Sequence, residues 1–188
     1  MAVVGVGGWL IVTGSLVFFV GAAYGVPRVF GARGAEERLA LLRAREDAWR
    51  SAQWLYAAGP LLAALGVAVL AAGWPGSAGV LAGVAGGAMF IGAVLWSVSC
   101  ARRGRRIEEF ARGTLPAGSW LGYVWLTLAG LAVLGFACFG VAVWVAILLW
   151  ASAAAFTALF VATRDIPPFV FYLVLGAVGV WVIVAAPR

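Results

Sequence analysis

The residues able to do chemistry are arginines and carboxylates, which gather in three polar segments between long apolar stretches. The densest group is the arginine cluster of residues 102–106, which directly follows one apolar stretch. Arginines so placed attract anionic lipid headgroups by about 1 kcal/mol each, although basic loops also serve to fix orientation alone. Carboxylates in the same segments could act as general acids or bases; they are Glu36, Glu37, Asp47, Glu108, Glu109 and Asp165. Because arginines lie close by, we interpret most of these carboxylates as charge partners.

Residues 35–54 have a helical pattern, and we expect them to extend the second membrane helix beyond the membrane. At about 100° per residue, one side of this helix carries Leu41, Leu42, Trp49, Arg38 and Arg45. That side could enter the headgroup region while its arginines reach lipid phosphates. It could equally pack on the second basic segment or on a partner subunit. The arginines expected to contact anionic lipid are Arg38, Arg45, Arg102, Arg103, Arg105 and Arg106.

The apolar stretches contain no ionisable Asp, Glu, Lys, Arg or His, and the chain has no lysine or histidine at all. Pumps, proton-coupled carriers and voltage sensors use charges inside the membrane, so those mechanisms have no evident residue here. Haem ligation and metal sites based on histidine lack their usual ligand. We therefore predict no catalytic residue, no cofactor and no metal site, which favours a protein that is not an enzyme.

The elements that must position the arginines are membrane helices. Of the 188 residues, 65% are hydrophobic and 11% charged, against about one quarter charged in soluble domains. All thirteen basic residues are arginine, which we interpret as coding bias in a GC-rich prokaryote, with the chain in its inner (plasma) membrane. Cys100 and Cys138 are too few for a disulfide framework, and we predict two free thiols near opposite membrane faces.

The fold prediction is all-α: a single domain over residues 1–188, forming a polytopic bundle of six transmembrane helices. A helix needs about 20 apolar residues to cross the membrane, so the two charge-free stretches of about 50 residues must each hold two spans. Trp74, Pro75 and Gly76 break the first, and length requires a turn near Gly140 in the second. The predicted spans are 2–26, 52–73, 77–100, 119–139, 141–163 and 168–186, with loops 27–51, 101–118 and 164–167.

Orientation follows from the arginines, because basic loops stay in the cytoplasm. With six spans, twelve of the thirteen arginines fall on one side of the membrane. The three loops are therefore predicted to be cytoplasmic, with both termini on the outer side. Tryptophan and tyrosine residues cluster near the predicted ends of the spans, as membrane interfaces favour.

Small residues predict where helices approach closely. The third span has two consecutive G-x-x-x-G steps and the first span has another, and their positions are Gly21, Gly25, Gly79, Gly83 and Gly87. Packing inside the bundle is the favoured interpretation, and a dimer face is the alternative. Pro60 removes the helical hydrogen bond to Tyr56, so we expect a kink in the second span.

A weak internal repeat is also visible. In both halves a basic loop with two glutamates precedes a helix that opens with W-L-x-x-A-G, first at Trp54 and again at Trp125. This would be a parallel repeat of helix, basic loop and helix, as in some transporters. Chance matching explains it equally well in a chain so rich in alanine, glycine and leucine.

Three hypotheses of function remain, and the sequence carries no motif of a recognised family. The first is a non-catalytic accessory, scaffold or lipid-interacting bundle, whose partners are anionic membrane lipids and a protein partner or second copy, with no nucleic acid. The second is a channel or carrier for a small neutral or apolar molecule, lined by Thr13, Ser15, Thr127, Ser152 and Thr157. The third, an interfacial enzyme acting on lipid, has least support because no spacing brings the carboxylates together.

Overall fold

The computed structural model describes residues 2–24 and 27–185, and these residues form helices with no strand among them. The elements are α1 (Ala2–Tyr24), a 3₁₀ helix η1 (Pro27–Gly31), α2 (Ala35–Ala44), α3 (Glu46–Gly73), α4 (Gly76–Arg105), α5 (Ile107–Arg112), α6 (Gly118–Phe139), α7 (Val143–Thr163) and α8 (Phe169–Ala185). The predicted first span, 2–26, and last span, 168–186, end at residues outside the described ranges. The chain is all-α.

Five helices, α1, α3, α4, α6 and α7, are long and apolar enough to cross a membrane, and α8 is a shorter apolar helix of 17 residues. Large apolar side chains cover the outside of the bundle, as on Val80, which is 68% exposed. An exposed apolar surface of this extent suits lipid and not water. The fold is therefore a polytopic membrane bundle, as the sequence predicts.

The helix α8 runs along α1 in the opposite direction. At one end Tyr172 stacks on Phe18 with ring centroids 4.3 Å apart, and further along Gly179 packs on Gly8. Near its end Trp181 meets Trp74, which follows α3, at 6.5 Å. The helix thus lies along α1 from Phe18 to Gly8.

The long helices pack mainly in chain order: α1 on α3, α3 on α4, α4 on α6 and α6 on α7, with α8 returning to α1 and touching α7 lightly. The hydroxyls of Tyr123 on α6 and Tyr172 on α8 share a buried hydrogen bond of 2.9 Å near the end where both helices begin. The arrangement is a ring of helices, and we call the packed aromatic rings inside this end the aromatic core.

Helices α1 and α3 make a close contact along small residues, mostly glycines, spaced seven residues apart. Gly7, Gly14 and Gly21 of α1 lie opposite Gly66, Gly59 and Ala52 of α3. A Cβ atom at Gly14 would lie 2.5 Å from the Ala63 nitrogen and 2.6 Å from the Gly59 carbonyl oxygen. Small residues at every second turn allow two antiparallel backbones to meet this closely. We call this contact the glycine seam.

The predicted packing glycines lie in several places. Gly21 belongs to the glycine seam, and Gly79 lies against the carbonyl oxygen of Ala71 on α3. A Cβ atom at Gly83 would make ordinary contact with Ala71, at 3.4 Å, whereas one at Gly87 would have no neighbour within 4 Å. Gly25 is outside the described residues.

Pro60 lies inside α3, which is a single helix from Glu46 to Gly73. Proline lacks the N–H that would bond the Tyr56 carbonyl. The indole N–H of Trp96 on α4 donates to that carbonyl at 2.8 Å instead. The hydrogen bond lost within α3 is thus replaced by one between helices, as membrane proteins require.

The segment expected to be one helix from residue 35 to residue 54 is two helices. The helix is interrupted at Arg45, whose φ of −141° is not helical. The prediction of one continuous helix was therefore wrong. The break lets α2 turn onto α5, where Leu39 and Leu42 are buried with Ile107 and Ala111. Burial of these side chains favours two helices over one straight helix projecting into water.

Candidate functional site

The two basic segments meet at one end of the bundle. There η1, α2 and α5 cover the first turns of α3 and the last turn of α4, around a small apolar cluster of Val29, Leu39, Leu42, Trp49, Ile107 and Ala111. We call this end the arginine-rich face. Of the two alternatives for the apolar side of α2, its packing on the second basic segment is what the structure shows.

One arginine of the cluster is held by aromatic rings. The guanidinium carbon of Arg103 lies 4.7 Å from the ring centroid of Trp96, 5.6 Å from Phe110 and 5.9 Å from Trp120. Its carbonyl accepts the indole N–H of Trp49 at 3.1 Å. These contacts of a cation with ring faces favour a fixed side chain, so Arg103 ties the arginine-rich face to the aromatic core.

The carboxylates of this face bind arginines or backbone. Arg43 on α2 pairs with Glu108 on α5 at 2.6 Å, and Arg106 pairs with Glu109 at 3.3 Å. Arg50 pairs with Glu46 one turn away. These pairs are exposed to solvent, so each contributes little to stability. Glu46, Glu108 and Glu109 line one cavity, and each of them is paired with an arginine there.

The other arginines expected to contact lipid differ in exposure. The side chains of Arg45, Arg105 and Arg106 are exposed, whereas Arg38 and Arg102 are half-buried. The guanidinium of Arg38 donates to the Ala111 carbonyl at 3.1 Å, linking α2 to α5. Among the exposed members Arg106 pairs with Glu109, whereas the described residues give Arg45 and Arg105 no ion pair.

Two cavities open at the arginine-rich face. The first, of about 430 Å³, is lined by five arginines, among them Arg105 and Arg112, and by three glutamates. It therefore carries an excess of positive charge suited to an anion. The second, of about 380 Å³, lies between α3 and α4, and its lining includes Arg50, Gln53, Ser97 and Arg105. We call the second cavity the α3–α4 groove.

Gln53 is the residue that the sequence predictions missed. Its side chain is only 4% exposed, and neither its amide nitrogen nor its amide oxygen has a hydrogen-bond partner among the described residues. A signal was available, because it is the only glutamine in a chain without asparagine and it lies at the start of an apolar span. Buried amides normally have partners.

The predicted cysteines and hydroxyl groups lie in several places. Cys100 and Cys138 are both free and buried, and Cys100 lines the α3–α4 groove. The hydroxyls of Ser15 and Thr157 each donate to a carbonyl of their own helix. Within residues 2–24 and 27–185, no group of three histidine, cysteine or carboxylate side chains could hold a metal ion.

Comparison of the chain with protein-family models, curated proteins and solved structures finds no match in any of the three. We therefore infer the function from the geometry of the arginine-rich face.

Proposed function

We propose that the protein is a non-catalytic membrane bundle that interacts with lipid, and that its arginine-rich face binds anionic headgroups. The observation that carries the proposal is the convergence of the two basic segments on one face, with more arginines than glutamates around a single cavity of about 430 Å³. Arginines at a membrane surface attract anionic lipid by about 1 kcal/mol each. Three of the five lining arginines pair with glutamates, so the excess is two arginines, or about 2 kcal/mol toward anionic lipid.

Two features support this function over the alternatives. The hydroxyls of Ser15 and Thr157, candidates for lining a transport path, donate to carbonyls of their own helices. The carboxylates Glu46, Glu108 and Glu109 are each paired with arginine, whereas a hydrolytic enzyme needs an acid or base facing its substrate. A lipid-interacting scaffold requires neither arrangement.

We place the arginine-rich face in the cytoplasm, following the distribution of arginines between loops. The anionic lipids of an inner membrane would then lie within reach. Single cysteines at Ala117 and Ser77, both exposed, test this sidedness with a reagent that cannot cross the membrane. In intact cells only Ser77→Cys should be labelled. Labelling of both positions, or of Ala117→Cys alone, would overturn the orientation.

Lipid retention tests the function. We expect the variant Arg43→Gln, Arg106→Gln, Arg112→Gln, whose three positions line the first cavity and not the α3–α4 groove, to co-purify with less phosphatidylglycerol and cardiolipin than the natural chain, measured by mass spectrometry of extracted lipid. The control Glu108→Gln, Glu109→Gln changes the same face in the opposite sense and should retain more. If both variants elute as the natural chain does and retain equal lipid, the basic cluster serves orientation alone and the proposal fails.

A further inference from the structure

The amide of Gln53 points to a ligand site between α3 and α4. Both of its polar atoms are buried without a partner among the described residues, in a side chain 4% exposed. An amide left in this state destabilises the fold, because neither its donors nor its acceptor replace the water they lost. A group that enters the α3–α4 groove and accepts a hydrogen bond from the amide N–H would remove the part of that penalty that comes from the buried donor.

The groove beside Gln53 changes character along its length. The two helices run in opposite directions, so Arg50 of α3 lies at the same end as Arg105 of α4, and both line the groove with exposed side chains. At the other end the lining is Ala57 of α3 and Ser97 of α4. Seven residues of helix separate the arginine end from Ala57, about 10 Å at 1.5 Å per residue.

Along the groove, from the arginine end to Ala57, the lining is thus first cationic, then the Gln53 amide, then apolar. Ser97 adds little polarity, because its hydroxyl donates to the Ala93 carbonyl at 2.8 Å. Trp54, 72% exposed, also lines the groove, with the amphipathic ring that membrane interfaces favour. The groove therefore matches an amphiphile with an anionic head, a polar neck and an apolar chain.

We propose that the α3–α4 groove binds one anionic glycerophospholipid. Its phosphate lies between Arg50 and Arg105, since guanidinium groups bind phosphate oxygens with paired, charge-assisted hydrogen bonds. Its glycerol ester lies beside Gln53, whose amide N–H donates to an ester carbonyl. One acyl chain follows the apolar end past Ala57. This site rests on the proposed function and makes it specific, since it selects one lipid where the open face attracts many.

The available positive charge supports an anion over a zwitterion. Glu46 pairs with Arg50, but the described residues give Arg105 no ion pair and leave it exposed beside the groove. A phosphodiester with one negative charge would neutralise this excess. A zwitterionic lipid would bring its own cation to the same arginines, which repel it.

The test is native mass spectrometry of the full chain in mild detergent, titrated with dioleoyl phosphatidylglycerol. We expect a first lipid held more tightly than later ones. Gln53→Leu should reduce first-lipid affinity about fivefold, as the loss of one hydrogen bond would. Ser97→Ala is the matched control in the same groove, and its affinity should equal that of the natural chain.

Gln53→Leu replaces an unpartnered amide by an apolar side chain of similar size, so the variant should be at least as stable without lipid as the natural chain. Thermal unfolding in detergent checks this. Equal first-lipid affinity in Gln53→Leu and the natural chain would overturn the site. Equal binding of dioleoyl phosphatidylcholine, or displacement of phosphatidylglycerol by millimolar inorganic phosphate, would also overturn it.

The two proposals fail separately. If the triple arginine variant loses anionic lipid while Gln53→Leu binds its first lipid normally, the face binds lipid but the groove is not the site. If Gln53→Leu loses its first lipid while the triple variant retains its total anionic lipid, the groove is a site and the wider face is not.

Discussion

Helix α3 makes two contacts that differ in kind, one with α1 and one with α4. Against α1 it presents a small residue at every seventh position, and at Gly59 the two backbones leave no room for a methyl group. Against α4, at the arginine-rich face, the same helix leaves a cavity of about 380 Å³ beside Gln53. The glycine seam fixes the architecture, and the groove leaves a polar group for something else to satisfy.

In a helical bundle without sequence motifs, a buried polar group without a partner indicates function better than closely packed small residues do. Small residues that meet at short range have a complete physical explanation in packing. A buried amide without a partner has none, because folding alone would select an apolar residue there. The α3–α4 contact is also not loose throughout, since Trp96 of α4 donates to the Tyr56 carbonyl of α3 and a Cβ atom at Gly86 would lie 2.5 Å from the Ala68 nitrogen.

The largest expected effect comes from filling the seam. Gly14→Leu places a large side chain where a Cβ atom would already lie 2.5 Å from backbone, so α1 and α3 must separate. We expect a loss of roughly 3 kcal/mol or more, measured as a lower unfolding temperature in detergent. Gly87→Leu is the control, because Gly87 has no neighbour within 4 Å. Similar losses in both variants would mean that the glycine seam does not hold the bundle.

A smaller effect is expected from losing the hydrogen bond between the Trp96 indole and the Tyr56 carbonyl. Trp96→Phe removes the N–H that satisfies the Tyr56 carbonyl, which should lower the free energy of unfolding by about 1–3 kcal/mol. In a Pro60→Ala background the new backbone N–H bonds that carbonyl, so the same substitution should lower it less. A double-mutant cycle measures this coupling. Zero coupling would show that the tryptophan acts only through its size.

Apolar length and breaker residues predicted much of the fold. The Trp74–Gly76 break falls where α3 ends at Gly73 and α4 begins at Gly76, because proline and glycine act locally. The glycine seam was not predicted, because the G-x-x-x-G pattern marks glycines four residues apart, whereas the seam repeats every seven residues. The break at Arg45 depends on burial of Leu42 and Trp49 against α5, and contacts so distant along the chain leave no local pattern.

The sequence predicted which segments form the candidate site, but it did not predict how their side chains are arranged. Counting arginines identified the face, but nothing local separates Arg103, held over aromatic rings, from Arg105, which is exposed. That difference arises from the arrangement of α4, α5 and α6 around Trp96 and Trp120. Gln53 was visible as an isolated amide, yet only the structure shows that it lacks a partner.

The central claim is that anionic lipid stabilises this protein through its arginine-rich face. The most direct measurement is thermal unfolding of the natural chain in phosphatidylglycerol and in phosphatidylcholine bilayers, at low and high salt. A ligand that binds the folded state raises its stability. We predict unfolding roughly 4 °C or more higher in phosphatidylglycerol, as about 2 kcal/mol would produce at this size, with the difference shrinking as salt screens the charges. Equal unfolding temperatures in the two lipids at low salt would contradict the claim.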